Sequence, residues 1–292
     1  MSDAAYTDGT WESADGLTLH YRDYPGRDDR PPILCIPGLT RNARDFEPVA
    51  EAFSGEWRVI CAELRGRGES DYAKDSASYV PAQYVADIAA LLDHLALPRV
   101  VAIGTSLGGI ITMLLATSHA DRLAGAVIND IGPVIEKLGL DRIKDYVGQG
   151  RSYPTWMHAA RALRETSLHI YPDYQAQDWL RLAKRLMVLA NSGRIALDYD
   201  MKIAEPMLES ENPVDFDMWL AWRALAGRPV LALRGELSDL LSAETFARMG
   251  SEIPDVELVT VPRVGHVPTF EEPQSLEAVA RLLARVSKAA GA

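Results

Sequence analysis

Apolar and polar positions follow two different periods in turn along the first half of the chain. Short apolar runs typical of buried strands alternate with longer stretches whose apolar residues recur at helical spacing. Alternation of this kind is typical of a mostly parallel sheet that is covered by helices on both faces. The pattern therefore predicts an α/β fold. The predicted strands are 17–24, 32–36, 57–64, 99–103 and 124–129, and the predicted helices are 44–53, 80–95 and 107–118.

The alternation stops after Pro133 and returns near residue 229. Between these points the pattern is helical and amphipathic with polar joints. It predicts a helical cap, 134–225, inserted between two core segments, 1–133 and 226–292. In the second core segment the predicted strands are 229–233 and 256–261, and the predicted helices are 242–249 and 274–286.

The predicted cap is rich in tryptophan. It holds four of the six tryptophans of the chain, and large aromatic side chains bury much surface against apolar ligands. We expect these four to roof a substrate pocket: Trp156, Trp179, Trp219 and Trp222. Only the chain ends, up to about Asp8 and after Lys288, are expected to be irregular.

The composition is that of a folded protein and excludes several classes of partner. The 292 residues are 48% hydrophobic and 24% charged, and 41 acidic against 30 basic residues give a net charge of −11. An acidic chain without a Lys/Arg-rich segment offers phosphate groups little to bind, so neither nucleic acid nor a membrane surface is an expected partner. The chain is compatible with a monomer or a homo-oligomer.

The chain has no secretory signal pattern and no apolar run of about 18 to 20 residues, so we expect a cytoplasmic protein. Its two cysteines, Cys35 and Cys61, lie in strand-like apolar runs, as reduced core thiols do.

A glycine-flanked serine is the strongest chemical signal. Gly104-Thr105-Ser106-Leu107-Gly108 matches the pattern G-x-S-x-G and lies between a predicted strand and a predicted helix. In that setting a sharp turn presents the hydroxyl, and Gly104 and Gly108 leave room for the strand and helix to pack closely behind it. Ser106 is therefore the candidate nucleophile, and it requires a base and an orienting carboxylate.

His266 is the candidate base, because it follows the last predicted strand in a loop, where its side chain can face a cleft. The acid should lie at the carboxyl end of a strand, where catalytic groups gather in open parallel sheets. Asp239 is favoured, Asp130 is the reserve candidate, and Glu236 is a weaker third.

Backbone donors for a tetrahedral oxyanion are expected at Leu107 N–H, at the start of the helix after Ser106, and at Leu39 N–H, in the loop where Gly38 lets the chain bend. Four further polar residues border the predicted cleft. They are candidates for binding a substrate carboxylate, although a solvated or loop-bracing role is favoured: Arg41, Asn42, Arg65 and Arg67.

Three of these segments together resemble the alpha/beta-hydrolase superfamily, across nearly the whole chain. They are Gly104-Thr105-Ser106-Leu107-Gly108-Gly109, Pro37-Gly38-Leu39 and Gly265-His266. The resemblance implies an eight-stranded, mostly parallel sheet, a cap after the sixth strand, and a catalytic triad matched by Ser106, Asp239 and His266. The loop before Asp239 is about one residue longer than is usual in that family, so Asp130 stays open as the acid.

The resemblance and the serine together indicate a hydrolase of carboxylic esters, of the carboxylesterase kind, that forms an acyl-enzyme on small to medium apolar substrates. The expected partner is a small-molecule ester, and neither a cofactor nor a metal is expected. Alternatives on the same triad are a carbon–carbon bond hydrolase, a lactonase or a cofactor-free perhydrolase. An alternative of another class is a ligand-binding receptor that retains the hydrolase scaffold without turnover.

Overall fold

The computed structural model describes residues 5–209 and 216–290. Within these ranges an eight-stranded sheet forms the centre of the molecule, and a second, three-stranded sheet lies in the inserted segment. The strands are β1 (Thr7–Glu12), β2 (Thr18–Tyr24), β3 (Ile33–Ile36), β4 (Val59–Ala62), β5 (Val100–Thr105), β6 (Leu123–Asn129), β7 (Ser152–Tyr153), β8 (Met187–Leu189), β9 (Ile195–Leu197), β10 (Val230–Gly235) and β11 (Glu257–Val261).

The central sheet has the strand order β1-β2-β4-β3-β5-β6-β10-β11. Strands β1 and β2 pair antiparallel, and β2 pairs antiparallel with β4, whereas the strands from β4 to β11 in this order run parallel. The parallel strands are buried along nearly continuous apolar runs, as expected for a sheet that is covered on both faces. Their carboxyl ends meet at one edge, and this edge carries the candidate site. The sheet confirms the predicted α/β-hydrolase fold.

Helices cover both faces of the central sheet and form much of the inserted segment. In the described ranges they are α1 (Glu47–Phe53), α2 (Pro81–His94), α3 (Leu107–Ser118), α4 (Lys137–Tyr146), α5 (Trp156–Ser167), α6 (Ala176–Leu186), α7 (Ala204–Glu209), α8 (Met218–Arg223), α9 (Ala243–Glu252) and α10 (Pro273–Ala290). One core cluster joins the sheet to α2, α3, α8 and α9, and a second joins its other face to α1 and α10. Helix α10 buries Ala278, Val279, Leu282, Leu283 and Val286, which recur at helical spacing on one side.

The inserted segment differs in two respects from the helical cap that the sequence predicts. It contains the antiparallel sheet β7-β9-β8, whose strands of two or three residues are too short to show a period in the sequence. In addition, α8 packs on α3, and the fully buried Trp222 belongs to the same core cluster as the sheet. Helices α5 and α6 form a separate apolar cluster of their own.

Further sequence expectations concern the cysteines and the chain ends, where α10 extends to Ala290 although the chain is expected to be irregular after Lys288. Cys35 and Cys61 are buried free thiols, as predicted. The segment up to about Asp8 is expected to be irregular. Instead, strand β1 begins at Thr7, because pairing with β2 orders it. None of the helices in the described ranges combines the length and the apolar character needed to cross a membrane.

Candidate active site

Ser106 occupies a strained turn between β5 and α3. Its φ angle is +52°, in the left-handed region that a residue with a side chain rarely adopts. The turn is fixed by hydrogen bonds from Ser106 N–H to the carbonyl of Asn129 and from Gly109 N–H to the carbonyl of Ser106. Its Oγ lies 2.9 Å from Nε2 of His266. The predicted nucleophile and base are thus within hydrogen-bonding distance.

The glycines around Ser106 are required by close packing. A Cβ atom built on Gly108 would lie 2.0 Å from the carbonyl oxygen of Ile36, and one built on Gly104 would lie 2.3 Å from the carbonyl oxygen of Gly108. No side chain fits at these separations. The start of α3 therefore rests directly on the end of β3, and it also packs closely against β5, as the sequence predicts for the strand and helix that flank Ser106.

The carboxylate that contacts the candidate base belongs to Asp130. Its Oδ2 lies 2.8 Å from Nδ1 of His266, and its side chain is fully buried. Two further donors hold the carboxylate in place: Gly235 N–H at 2.8 Å and the Ser238 hydroxyl at 2.8 Å. Asp130 itself has a φ of +54° at the end of β6, next to β5 in the sheet. The reserve candidate is therefore the partner of His266.

Asp239, the acid that the sequence favours, has a different partner, and its prediction is corrected. Arg142 of α4 donates to both of its carboxylate oxygens, at 2.6 and 2.8 Å. Burial opposes ionisation of Asp239, but the bonds and charge of Arg142 outweigh it and lower the pKa of this carboxyl. Arg142 comes from the inserted segment, and no sequence signal marked it or Ser238 as part of the site. Glu236, the third candidate, accepts a bond from Arg263 N–H.

Several hydrogen bonds tie the loop that carries His266 to its surroundings. Asn129 Nδ2 donates to the carbonyl of Pro268, and the Tyr171 hydroxyl donates to the carbonyl of Val267. Gly265 N–H donates to the carbonyl of Ile170. The imidazole therefore sits on a braced loop, with only 8% of its side-chain surface exposed.

The two predicted oxyanion donors lie beside the serine. Leu39 and Leu107 both line the cavity that contains Ser106. In the parts of the chain that the structure describes, neither backbone N–H has an acceptor. Unpaired N–H groups at a helix start and in a neighbouring loop are suited to binding developing negative charge.

An apolar cavity of about 210 Å³ opens onto Ser106, and we call it the Ser106 cavity. Helices α3, α4 and α7 contribute apolar side chains to its wall, including Ile110, Leu140, Ile143 and Met207. Its two tyrosine hydroxyls already have partners, since Tyr79 donates to Asp200 and Tyr84 accepts from Arg67. Among the described residues, no charged side chain lines this cavity.

The four tryptophans expected to roof the pocket do not line the Ser106 cavity, so that expectation is corrected, although Trp219 borders an adjoining cavity. Trp179 lies in the α5–α6 cluster, against which Trp156 packs. Trp222 is buried in the main core and donates to the carbonyl of Met249. Trp219 lies under the guanidinium of Arg248, 3.8 Å from ring centroid to Cζ. Aliphatic residues of α4 and α7 line the cavity instead.

Three of the four polar loop residues brace the fold, which is the role that their loop positions favour. Arg65 binds Asp87 and Asp15, and Arg67 donates to the carbonyls of Leu39 and Arg65. The side chain of Asn42 caps the turn that follows it and donates to the carbonyl of Arg185 in the inserted segment. Arg41 pairs with Asp45 beside the site.

A sheet of this order with a serine turn after β5 and a histidine after β11 defines an α/β hydrolase. The chain belongs to the alpha/beta hydrolase family, whose sequence model matches residues 33–280.

Particular relatives agree with this assignment. The chain is 34% identical over 251 residues to a 3-hydroxybutyrate-oligomer hydrolase of Cupriavidus necator, covering 84% of this chain and 85% of that protein. It is 27% identical over 271 residues to a 2-(acetamidomethylene)succinate hydrolase of Mesorhizobium japonicum, covering 91% and 92% of the two chains. The crystal structure of an alpha/beta hydrolase from Novosphingobium aromaticivorans matches with 58% identity and a TM-score of 0.93, over 98% of this chain and 99% of that chain. These relatives are all hydrolases, which supports hydrolysis as the general activity of this chain.

Proposed function

We propose that the protein is a serine hydrolase that cleaves carboxylic ester bonds of substrates with small to medium apolar acyl groups. The observation that carries the proposal is the line of hydrogen bonds from Ser106 through His266 to Asp130, which opens onto the Ser106 cavity. A hydroxyl bonded to an imidazole that is bonded in turn to a buried carboxylate is the arrangement that activates serine for acyl transfer.

In the first half of the reaction Ser106 becomes acylated. Its Oγ attacks the carbonyl carbon of the ester while His266 Nε2 takes the hydroxyl proton. Asp130 accepts from Nδ1, so Nε2 is kept as the acceptor toward Ser106 and the imidazolium that forms is stabilised. The bond from the carbonyl carbon to the leaving oxygen then breaks. His266 gives the proton to that oxygen, and the leaving group departs as an alcohol.

The negative charge of the tetrahedral intermediate falls on the former carbonyl oxygen. Leu39 N–H and Leu107 N–H bind it, since both border the cavity and neither has an acceptor among the residues that the structure describes. One such donor contributes about 3 kcal/mol to transition-state stabilisation. In the second half, His266 takes a proton from water, the hydroxide attacks the acyl carbon, and Ser106 leaves with the proton returned to its oxygen.

The cavity and one relative support the proposed substrate class. A small apolar cavity without charged side chains among its described residues suits a short, uncharged acyl group. The Cupriavidus relative is named for hydrolysing oligomers of 3-hydroxybutyrate, in which hydroxy acids are joined by ester bonds. The cavity suits the acyl group, and the relative favours ester cleavage over the carbon–carbon, lactone and peracid reactions that use the same triad.

Covalent labelling combined with a substrate panel tests this proposal. A fluorophosphonate forms a bond from phosphorus to an activated serine oxygen and releases fluoride, so we expect a single label on the peptide that contains Ser106. We also expect hydrolysis of p-nitrophenyl esters, fastest with short acyl chains, and slower turnover of lactones and vinylogous diketones. The Ser106→Ala variant should lose both labelling and hydrolysis.

The matched control is Ser118→Ala, since Ser118 is an exposed serine at the other end of α3. It should keep both labelling and hydrolysis. A label on any other residue, or ester hydrolysis that survives in Ser106→Ala, would contradict the proposed function. Tight small-molecule binding without turnover would favour the receptor alternative.

A further inference from the structure

Two arginines lie near the catalytic groups but outside the Ser106 cavity. Arg41 belongs to the loop after β3. Its Cγ lies 3.4 Å from the position of a Cβ built on Gly38, and that position is 3.6 Å from Cβ of Ser106. The Arg41 side chain also borders a small cavity together with Thr105 and Val267, the neighbours of the nucleophile and the base in the chain.

Arg142 reaches the same region from the inserted segment, through the two bonds that it donates to Asp239. Asp239 in turn lies within electrostatic range of His266. The two arginines also share neighbours. Burial opposes the charge of Arg41, but other groups outweigh it and raise its pKa, Tyr171 and Tyr146 among them. The pKa of Arg142 is raised first by its hydrogen bond to Asp239 and also by Tyr146 and Tyr171. We call Arg41 and Arg142 the arginine cluster, since both lie near Tyr171, whose hydroxyl donates to the carbonyl of Val267 beside His266.

Each guanidinium uses only one of its edges within the protein. Arg41 binds Asp45, and Arg142 binds Asp239, in both cases through Nε and Nη2. Within residues 5–209 and 216–290, Nη1 of neither arginine has an acceptor, and neither atom is sealed from solvent. The two aspartates fix the orientation of the guanidinium groups, so the remaining N–H groups are held ready for an anion from outside the protein.

The leaving group of an ester must extend toward this cluster. Its oxygen receives the proton from His266 Nε2, so it lies on the His266 side of Ser106, whereas the acyl group enters the apolar cavity. We propose that Arg41 and Arg142 bind a carboxylate carried by the leaving group, and that the preferred substrates are esters of short hydroxycarboxylic acids. This inference rests on the proposed ester hydrolysis and adds the recognition of the alcohol part.

The inference predicts a particular kinetic signature. A carboxylate on the leaving group keeps its charge throughout acylation, so its contacts stabilise the bound substrate and the transition state alike. Loss of such contacts raises KM and leaves kcat nearly unchanged. A charge-assisted hydrogen bond of this kind corresponds to about a tenfold change in kcat/KM for each arginine.

The experiment compares two substrates that differ in one charge: the butanoyl ester of 3-hydroxybutanoate and the butanoyl ester of 3-hydroxybutanamide. The readout is the ratio of their kcat/KM values, in which the fraction of folded enzyme cancels. We expect the natural chain to prefer the carboxylate ester by about tenfold or more, and Arg142→Gln and Arg41→Gln each to reduce this preference by about tenfold through KM. Arg142→Lys, which keeps the charge, should retain part of the preference.

The matched control is Arg58→Gln. Arg58 donates to both oxygens of Asp23 through Nε and Nη2, at 3.0 and 2.7 Å, and its side-chain exposure of 28% resembles the 23% of Arg142. It precedes β4 and so lies at the opposite edge of the sheet, and its loss should leave the ratio unchanged. Equal hydrolysis of the two esters by the natural chain, or an unchanged ratio in both Arg41→Gln and Arg142→Gln, would overturn the inference alone. Failure to cleave either ester would overturn the proposed function and the inference with it.

Discussion

Nδ1 of His266 lies 2.8 Å from Oδ2 of Asp130, at the end of β6, the strand next to the one that presents Ser106. The carboxylate is fully buried and is held by two further donors, so it is rigidly aimed at the imidazole. Asp239, one strand further along the sheet, is engaged by Arg142 instead. The two aspartates therefore follow neighbouring strands, but only Asp130 contacts the imidazole.

The first prediction separates these two aspartates. Asp130→Asn should lower kcat on p-nitrophenyl butanoate by roughly 10⁴-fold, because an amide no longer stabilises the imidazolium and can hold the wrong tautomer. Asp239→Asn should lower kcat by less than about tenfold, because its partner is Arg142 rather than His266. Steady-state kinetics of the two variants decide the matter, and a larger loss in Asp239→Asn would return the role of acid to that residue.

The sequence was sufficient for the core strands and for the two ends of the catalytic line. Strands such as β5 and β6 are continuous apolar runs that end at glycine or at polar turns, so their positions follow from composition and period. Ser106 and His266 carry local signals, a glycine-flanked turn and a loop after the last strand. Strands β7 to β9 carry none, because two or three residues cannot show a period.

The choice between Asp130 and Asp239 could not be made from the sequence. Both aspartates follow parallel strands that end at the same edge, and what separates them is tertiary packing: Arg142 arrives from α4 and engages Asp239. The tryptophans were misplaced for a similar reason. A tryptophan predicts a large buried area but not what it is buried against. Which residues face the cavity depends on how the inserted segment packs on the core, and in α4 these are Leu140 and Ile143.

The second prediction concerns the close contact behind the nucleophile. Gly108→Ala places a methyl group 2.0 Å from the backbone oxygen of Ile36, and relieving this clash must move α3 away from β3. We expect a loss of about 3 kcal/mol or more in unfolding free energy, measured by urea denaturation, together with most of the activity. Gly150→Ala is the control, since its nearest atom would be 3.8 Å away, and it should be nearly neutral. Comparable stability of the two variants would refute the packing argument.

The third prediction tests the acyl site. Leu140 of α4 lines the Ser106 cavity, so Leu140→Trp should fill part of its volume of about 210 Å³. We expect the variant to be impaired more on longer acyl groups: its ratio of kcat/KM for p-nitrophenyl hexanoate to that for the acetate should be about tenfold lower than the same ratio in the natural chain. Leu138→Trp, on the same helix but 74% exposed, serves as the control and should leave the acyl-length profile unchanged. A profile that stays unchanged in Leu140→Trp would place the acyl group elsewhere.

The fourth prediction is a pH dependence of stability at the buried pair of His20 and Glu63. The two side chains are 2.9 Å apart and almost fully buried, and Glu63 also accepts bonds from the backbone N–H groups of Ala43 and Glu69. Burial opposes protonation of His20, but Glu63 and Asp8 outweigh it and raise its pKa above the usual 6.5. Because this folded-state pKa is raised, the stabilisation is complete below about pH 6 and is lost as the pH rises through the folded-state value. His20→Gln should therefore cost about 3 kcal/mol near pH 6 and clearly less near pH 9, measured by thermal unfolding. The control is His158→Gln at an exposed histidine, whose effect on stability should not change with pH in this way. If the stability difference between His20→Gln and the natural chain stays constant with pH, a charged pair is excluded.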